Sequence, residues 1–424
     1  MKVGIYTLGC KVNTYESEYV TKLLIEAGYK ISNFEDICDI YIINTCTVTN
    51  TSDIKSRKII RQARRRNPNS CVVAMGCFIQ KLDNIMDEID IAIGNKDKSK
   101  IIELLKEYFE KNKKINNLIK KEELTKFEDM YLDKYLNRTR AFVKIQDGCE
   151  NFCSYCIIPF VRGKCRSKDF NKTIKEIETL VKNGFKEIVL TGIHTGNYGH
   201  DINTSFADLL EEIVKIKGLK RVRISSIEAT ELNSEVLKII KNSDVIVDHL
   251  HIPIQAASNE VLKIMNRKYN IEEFISKINE IRDIRPNISI TTDIIVGHPG
   301  ETDTMFNNSI KTLKKINFSK LHVFPYSKRD GTKSATMEQI DEQTKKDRVH
   351  KLLALSKQLE LNYMEKFINK ELEVLFEVTH DNYSIGHTSN YLQIKVEGRH
   401  QSGEFKQIKL INIEYPYIIG KVIE

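Results

Sequence analysis

Three cysteines at short spacing are the residues of this chain best suited to chemistry. Cys149, Cys153 and Cys156 form the pattern C-x3-C-x2-C, and the run contains no fourth cysteine. A structural zinc site closes its tetrahedron with four ligands, whereas a four-iron cluster normally takes one thiolate per iron. Three thiolates on such a cluster would leave one iron open to another ligand. The pattern favours an iron–sulfur cluster, and the alternatives are three buried thiols or a zinc site with a distant fourth ligand.

Residues 1–100 predict a parallel α/β, Rossmann-like unit, because short apolar strands alternate with amphipathic helices. The strands are predicted at 3–8, 39–44 and 71–75, and the helices at 15–27, 53–66 and 78–87. Each strand ends beside one cysteine, which is Cys10, Cys46 or Cys77 in turn. Parallel strands share one carboxyl edge, so we expect these thiols to converge as a second three-cysteine set. The alternative is that each is an ordinary buried thiol at a strand end.

The rest of the chain predicts three further segments. Residues 101–136 are charge-rich and are predicted to be a helical connector. Residues 137–367 form one predicted unit, in which strand and helix repeat six times over 141–330, with strands at 141–146, 187–191, 221–225, 248–254, 288–296 and 320–325 and a last helix of the repeat at 303–316. This pattern predicts a partial, open (β/α)6 barrel with its chemistry at the carboxyl ends of the strands. The loop with Cys149 follows the first of these strands.

Residues 368–424 change to four short alternating strands, at 372–378, 392–396, 408–413 and 418–422, punctuated by glycines. This pattern predicts a small β-barrel.

Composition limits the compartment and the partners. The 424 residues are 29% charged and 41% hydrophobic, an ordinary composition for a globular protein. No apolar stretch approaches the roughly 20 residues that span a bilayer, and no secretory segment is recognisable at the N-terminus, so we expect a cytoplasmic protein without a membrane partner. Nine cysteines without an export signal favour metal or cluster ligation over disulfides. The net charge of +8 permits a polyanionic partner.

Several motifs together identify a family resemblance. They are Thr7–Asn13, Asn44–Val48, Gly76–Cys77, the Cys149–Cys156 loop with Ile157–Gly163 and Arg166–Ser167, and Gly297–Glu301. With them the chain resembles the radical SAM methylthiotransferase family, whose enzymes use S-adenosylmethionine (SAM), along nearly its whole length. The C-terminal piece resembles the RNA-binding TRAM barrel of these enzymes, through Ile385–Tyr391.

The segment around the first cysteine narrows the resemblance. Leu8-Gly9-Cys10-Lys11-Val12-Asn13 is similar to the branch that acts on N6-threonylcarbamoyladenosine at position 37 of tRNA, next to the anticodon. Sister branches act on isopentenyladenosine in tRNA or on an aspartate of a ribosomal protein. Some positions depart from the family pattern, among them Ala256-Ala257 and His298, and none of these is an expected cluster ligand.

The resemblance implies two four-iron clusters and SAM as cofactors. Cys149, Cys153 and Cys156 would hold the cluster that binds and reductively cleaves SAM, and the resulting 5′-deoxyadenosyl radical would attack the C2–H of the adenine. A second cluster on Cys10, Cys46 and Cys77 would supply the methylated sulfur. Radical chemistry suits an unactivated aromatic C–H, which no side-chain acid or base can deprotonate usefully. An electron donor and a sulfur source, both unidentified, are implied partners.

Four residues near strand ends are the expected SAM contacts. In the order of the chain they are Gly192, Glu228, Gln255 and Arg267. Gly192 would contact the methionine amino group, Glu228 the ribose or the amino group, and Arg267 the carboxylate. The alternative for each polar side chain is a solvated or structural role.

The implied partner is a tRNA anticodon loop rather than DNA, because proteins read RNA in single strands and a base under reaction must be unstacked. The candidate phosphate contacts lie on the helix after Cys46, at Arg57, Arg61, Arg64 and Arg65. A charge run is more often only a solvated helix face. Two rival readings remain open: a radical SAM enzyme whose N-terminal site holds zinc or nothing, and a non-enzymatic iron–sulfur protein that binds RNA or transfers electrons.

Overall fold

The N-terminal unit is a six-stranded parallel sheet in the order β2-β1-β3-β4-β5-β6. The computed structural model of the chain describes residues 1–136 and 138–423. The strands are β1 (Lys2–Thr7), β2 (Lys30–Ser32), β3 (Ile40–Thr45), β4 (Cys71–Gly76), β5 (Ile91–Ile93) and β6 (Ile115–Asn117). The central strands β3 and β4 are buried at every position, as expected for a parallel sheet covered on both faces.

Four helices cover this sheet, at α1 (Lys11–Glu26), α2 (Asn50–Arg66), α3 (Cys77–Lys81) and α4 (Ile101–Lys111). The parallel α/β prediction is confirmed. Two details of the prediction were wrong. The helix expected over 78–87 is the short α3, and the segment 101–136 is helical mainly in α4, with one further 3-10 turn at Lys121–Glu123. Leu104 and Leu105 of α4 pack into the core of the sheet, and β6 extends that sheet, so the segment belongs in part to the N-terminal unit.

The central unit has six parallel strands that curve into a partial barrel, as the sequence predicted. They are β7 (Arg140–Lys144), β10 (Glu187–Thr191), β11 (Arg221–Ile224), β12 (His249–His251), β13 (Ser289–Val296) and β14 (Lys320–Pro325). Hydrogen bonds link them as β11-β10-β7 and β12-β13-β14. Two isolated bridges, Val222 with Ile246 and Ser226 with His251, join the two halves. The short antiparallel pair β8 (Gln146–Asp147) and β9 (Arg166–Ser167) flanks the loop with Cys149.

The outer layer of the barrel consists of helices. They are α5 (Ile158–Arg162), α6 (Phe170–Lys182), α7 (Phe206–Ile213), α8 (Ser234–Asn242), α9 (Asn259–Ile264), α10 (Ile271–Ile284), α11 (Asp303–Ile316) and α12 (Glu342–Glu365). Most begin at a side chain that caps their free backbone N–H groups. Asp169, for example, accepts from Lys172 N at the start of α6, and Asn270 forms a capping box with Glu273 at the start of α10.

The C-terminal unit is a closed barrel in the order β15-β16-β17-β19-β18. Its strands are β15 (Glu371–Thr379), β16 (Tyr383–Thr388), β17 (Gln393–Glu397), β18 (Phe405–Glu414) and β19 (Tyr417–Val422). The sequence predicted four of these strands and missed β16. Gly386 interrupts the alternation of β16, and a Cβ there would lie 2.3 Å from Leu375 O, so the neighbouring backbone leaves no room for a side chain.

The C-terminal barrel is fastened to the amino ends of the central strands. Arg221, at the start of β11, donates to His387 O at 3.0 Å and to Glu373 O at 2.7 Å. Asp248 N, before β12, donates to Ser389 Oγ at 2.9 Å. Arg140, at the start of β7, pairs with Glu377 at 2.6 Å. The segment Ile385–Tyr391 therefore closes this end of the partial barrel.

Candidate active site

The three N-terminal cysteines lie at the carboxyl ends of three neighbouring strands. Cys10 is the N-cap of α1 after β1, Cys46 follows β3, and Cys77 begins α3 after β4. Asn13 ties these ends together, because its Nδ2 donates to Leu8 O at 2.8 Å and to Thr45 O at 3.0 Å. Cys46 and Cys77 are buried and Cys10 is exposed. The arrangement brings the three thiols to one edge of the sheet with one side open.

Arg162 connects this edge to the central unit. The guanidinium is fully buried, and its Nε donates to Cys77 Sγ at 3.1 Å. Its Nη1 donates to Asp147 Oδ1 at 3.0 Å and to Glu16 Oε1 at 3.2 Å. Glu16 also pairs with Lys144 at 2.8 Å. Sequence reasoning assigned no role to Arg162, and burial of a cation is visible only once the two units are packed together.

The other cysteine set, Cys149, Cys153 and Cys156, occupies the loop between β8 and α5. Gly148 precedes it with φ +78°, and a Cβ there would lie 1.9 Å from Lys164 O, so only glycine fits. Ser154 anchors the loop, since its N–H donates to Met265 O at 3.0 Å and its C=O accepts from Ser334 N at 2.8 Å. Cys149, Cys153 and Cys156 line one cavity of about 300 Å³. These contacts therefore fix the loop beside a cavity that is large enough for a small-molecule ligand.

The thiols of both sets could serve as metal ligands once deprotonated. Burial raises the pKa of Cys156 to about 12 and that of Cys77 to about 11, so these thiols are protonated until a metal displaces the proton. Within residues 1–136 and 138–423, no three His, Cys, Asp or Glu side chains are placed to chelate one metal ion. In a four-iron cluster each thiolate binds a different iron, which spaces the sulfurs farther apart than a single ion would.

Three of the four expected SAM contacts line the cavity with Cys149. They are Glu228, Gln255 and Arg267. Arg267 forms an ion pair with Glu228, and its Nη1 donates to Cys153 Sγ at 3.3 Å. Burial raises the pKa of Glu228, although the charge of Arg267 opposes this. The pair gives the cavity one cation and one anion beside the cysteines, which matches the two charges of an amino acid.

Gly192 lies elsewhere, in the lining of a larger adjoining cavity of about 810 Å³. A Cβ at Gly192 would lie 3.1 Å from the side chain of Gln146. The Gln146 Oε1 in turn accepts from Ile193 N at 3.0 Å and from His194 N at 2.8 Å. Because residue 192 has no side chain, Gln146 has room to form these hydrogen bonds, which hold the turn after β10 in place. Its direct contact with SAM stays a prediction.

The two cavities share three lining residues, Ser226, Asp293 and Phe324. The larger one also reaches Cys10 and Lys11, and it ends at Tyr391 of the C-terminal barrel. The two cavities therefore adjoin, and one lies at the loop with Cys149 while the other reaches Cys10. Their volumes lie in the range of ordinary small-molecule pockets.

Polar side chains inside the partial barrel line the larger cavity, and sequence reasoning missed most of them. They are Arg223, His249, His251, Thr291, Asp293 and His322. Arg221 and Arg223, like His249 and His251, are two residues apart on otherwise apolar strands, so they face the same side. That alternation was the available signal for a polar interior. His251 is satisfied by Thr291 Oγ1 at 2.9 Å and by Asp293 at 3.3 Å.

The residues that depart from the family pattern are buried away from the cysteines. Ala256 and Ala257 pack in the core of the central unit, and the residue with a positive φ in this turn is Gln255, at 60°. His298 is fully buried, and its Nε2 lies 2.8 Å from Ser334 Oγ. Burial lowers the pKa of His298 to about 4, so the ring is neutral. The His298 ring makes an edge-to-face contact with the ring of Tyr155, which lies between Cys153 and Cys156 in the cysteine loop.

The basic helix α2 contains two kinds of arginine. Arg57 and Arg65 are exposed, and Arg61 is exposed with one ion pair to Glu88 at 3.1 Å. Arg64 differs, because it pairs with Asp90 and donates to Pro68 O, Ser70 O and Glu88 O. The donors of Arg64 therefore hold α2 to the sheet, which argues against its predicted phosphate contact. Phosphate contacts by Arg57, Arg61 and Arg65 stay predictions.

Known families match two parts of the chain. Residues 143–313 match the radical SAM superfamily, and residues 2–94 match the uncharacterized protein family UPF0004. No helix in the described part of the chain has the length and apolar character to span a membrane.

Curated relatives match nearly the whole chain. The threonylcarbamoyladenosine tRNA methylthiotransferase of Bacillus subtilis is 44% identical over 99% of this chain and 96% of its own length. The protein of the same name from Aquifex aeolicus is 38% identical over 96% of this chain and 100% of its own. The tRNA-2-methylthio-N(6)-dimethylallyladenosine synthase of Clostridium tetani is 37% identical over 88% and 84%.

Solved structures with little sequence identity share the fold. The radical SAM methyltransferase TsrM from Kitasatospora setae superposes with a TM-score of 0.59 at 14% identity, covering 79% of this chain and 77% of that one. The cobalamin-dependent SAM radical enzyme OxsB gives 0.52 at 12% identity, over 85% and 56%.

Proposed function

Because the chain belongs to the radical SAM methylthiotransferase family, we propose that it converts N6-threonylcarbamoyladenosine at position 37 of tRNA to the 2-methylthio derivative. The observation that carries the proposal is the pair of adjoining cavities between the two three-cysteine sets, one lined by Cys10 and the other by Cys149. Two relatives that match almost end to end are named for this substrate. A base placed in that space would have both sets within reach.

The radical SAM match implies one four-iron cluster and SAM. We assign that cluster to Cys149, Cys153 and Cys156, and a second four-iron cluster to Cys10, Cys46 and Cys77. When bound, these groups would supply the radical that removes the C2 hydrogen and the sulfur that replaces it, and a second SAM would supply the methyl group on that sulfur. An external electron donor and a sulfur source complete the reaction. A tRNA substrate also fits a cytoplasmic enzyme.

The residues of the chain have binding and positioning roles in this proposal. Arg267 and Glu228 are placed to hold the carboxylate and the amino group of SAM beside Cys153, and each must exchange part of their mutual ion pair for the ligand. Gln255, with its left-handed backbone, directs its side chain into the same cavity. Gln146 fixes the turn that carries Gly192. Accurate placement of reactants contributes several kcal/mol to a reaction of this kind.

The RNA would approach over α2 and the C-terminal barrel. Arg57, Arg61 and Arg65 lie on the exposed face of the helix that follows Cys46, so an RNA bound along that helix would extend to the edge of the sheet at which Cys10 is exposed. Phosphate contacts position an RNA without reading its sequence. The target base must leave the stack to enter the cavity, as in other enzymes that modify a base.

The test uses purified, cluster-reconstituted enzyme with SAM and a reductant. Two anticodon stem-loop RNAs serve as substrates, one with N6-threonylcarbamoyladenosine and one with N6-isopentenyladenosine at position 37. Mass spectrometry of the digested RNA should show the 2-methylthio product from the first RNA only. A product from the second RNA alone would move the enzyme to the sister branch. Product from neither RNA, with SAM still cleaved, would point to a protein substrate.

A further inference from the structure

Lys11 stands at the junction of the space between the two cysteine sets. It follows Cys10 directly, begins α1, and lines both the 810 Å³ cavity and a smaller adjoining one of about 290 Å³. Arg223 and Tyr391 line both cavities as well. In the part of the chain that the structure describes, the Lys11 ammonium forms no ion pair, so its charge is available to a ligand.

Arg223 and His249 line the same space, and each has a buried side-chain nitrogen without a partner among the described residues. Arg223 is 2% exposed, and its Nε pairs with Glu187 at 2.9 Å. Its Nη2 is buried without any hydrogen-bond partner among the described residues. Nδ1 of His249 is likewise buried and unpartnered there. Leaving such groups unpaired is unfavourable, so a ligand that accepts a hydrogen bond from Arg223 would be favoured.

An aromatic platform holds these donors in place. The Tyr391 ring stacks on His249 with centroids 4.8 Å apart, and the Arg223 guanidinium lies 4.5 Å from its centroid. On its other neighbour, His387, Tyr391 stacks at 4.7 Å. The donors are therefore fixed before any ligand arrives, which lowers the entropy cost of binding.

The charges around this point leave a positive excess. Among the residues that line the two cavities, the cations are Lys11, Arg138, Arg140, Arg223 and Lys320, and the carboxylates are Asp293, Glu360 and Glu377. Five cations thus line this space with three carboxylates. An anionic group on a ligand would reduce the excess of positive charge.

The substrate of the proposed function carries such a group. The threonyl moiety of N6-threonylcarbamoyladenosine ends in a free carboxylate, which the isopentenyl group lacks. C6, which bears the substituent, is separated from the reacting C2 by one ring atom, N1. A base whose C2 faces Cys10 therefore has its substituent near the residue next to Cys10. The segment that resembles the threonylcarbamoyl branch is the one that contains Lys11.

We propose that Lys11, with Arg223 beside it, binds the threonyl carboxylate and so selects N6-threonylcarbamoyladenosine over uncharged N6 substituents. This inference rests on the proposed function. Lys11 is a specificity residue in this account, since it contacts the substituent and not the reacting carbon. A charge-assisted hydrogen bond corresponds to roughly 10- to 100-fold in affinity.

The test measures the binding of stem-loop RNAs to the reconstituted enzyme without reductant, so that no turnover occurs. One RNA carries N6-threonylcarbamoyladenosine and a second carries its methyl ester, which removes only the negative charge. The wild-type enzyme should bind the acid at least about 10-fold more tightly than the ester. Lys11→Met should make the two affinities equal, whereas Lys11→Arg should retain most of the preference.

Two controls separate this effect from damage to the site. Lys241→Met removes an exposed lysine on α8 and should leave the preference unchanged. The iron content of each variant checks that the cluster next to residue 11 is intact. If Lys11→Met keeps the preference, or if the wild-type enzyme binds acid and ester equally, the inference is overturned. Should the acid and ester RNAs both be thiolated equally well, the proposed function would stand while the role of Lys11 would fall.

Discussion

The Nε of Arg162 lies 3.1 Å from Sγ of Cys77, and the same guanidinium contacts Asp147 two residues before Cys149. The buried Arg162 side chain therefore contacts Cys77 of the N-terminal set directly. It contacts the loop of the other set through Asp147. The spacing of the two sets depends on this contact between the N-terminal and central units. Such a bridge also places a positive charge next to a thiolate of the second set, which stabilises the charged ligand.

Replacing Arg162 should destabilise the joint between the two units. Arg162→Gln leaves Glu16 and Asp147 with fewer buried counter-charges, and breaking a buried pair costs about 3–5 kcal/mol. The midpoint of thermal unfolding should fall clearly. Arg138→Gln is the matched control, because Arg138 is 41% exposed and its pair with Glu18 is a surface contact worth less than about 1 kcal/mol. Equal midpoints for the two variants would contradict the structural role of Arg162.

The two cysteine sets should lose iron independently. The variant with alanine at Cys149, Cys153 and Cys156 should retain about four irons per chain after reconstitution, from the second cluster alone. The variant with alanine at Cys10, Cys46 and Cys77 should also retain about four irons per chain, from the cluster on the other set. Cys71→Ala provides the control with full iron content, since that thiol packs in the core of the N-terminal sheet. Iron near zero in the first variant would refute the second cluster.

The arginines of α2 should separate into two classes. Exchanging Arg57, Arg61 and Arg65 for glutamine should reduce the slope of log affinity against log salt by about 2 for a stem-loop RNA, because up to three phosphate contacts are lost. Arg64→Gln should leave the slope unchanged and lower thermal stability instead, since its donors serve Asp90 and three carbonyls. Filter binding at several salt concentrations measures the slope. A reduced slope in Arg64→Gln would reverse this assignment.

Acid should loosen the C-terminal barrel through Glu377. Burial alone would raise the pKa of this carboxyl, but the hydrogen bond from His387 and the charges of His387 and Arg140 bring it below its ordinary value of about 4.5. A carboxyl with a lowered pKa in the folded protein stabilises above its ordinary pKa, and that stability is lost as pH falls through the folded value.

The consequence is measurable in Glu377→Gln. Between about pH 5 and pH 3 the unfolding midpoint of the wild-type protein should fall more steeply than that of the variant. At neutral pH the variant should be the less stable of the two. Glu397→Gln, an exposed position on β17, should follow the wild-type curve. Parallel curves for wild type and Glu377→Gln would show that the contact with Arg140 contributes nothing to stability.

The local pattern of apolar residues was sufficient to predict several strands and helices. Strand β10 at Glu187–Thr191, helix α11 at Asp303–Ile316 and strand β14 at Lys320–Pro325 lie where the alternation of apolar residues placed them. The convergence of Cys10, Cys46 and Cys77 followed from the topology of a parallel sheet.

What the sequence missed depends on contacts between distant segments. Arg64 appeared to be one of a solvated run until the fold placed Asp90 beside it. The unpaired donor of Arg223 arises because Glu187 and the loop at Ser389 occupy only part of the guanidinium. Strand β16 was not predicted because Gly386 interrupts the alternation of apolar and polar side chains. The close approach of the neighbouring backbone requires glycine at this position.

The most direct test of the central claim is the nucleoside content of tRNA from cells that lack this gene. The account predicts that 2-methylthio-N6-threonylcarbamoyladenosine disappears, that its unthiolated parent accumulates, and that a gene copy with Cys149→Ala does not restore the product. Loss of the methylthio-isopentenyl nucleoside instead, or an unchanged set of tRNA nucleosides, would contradict it.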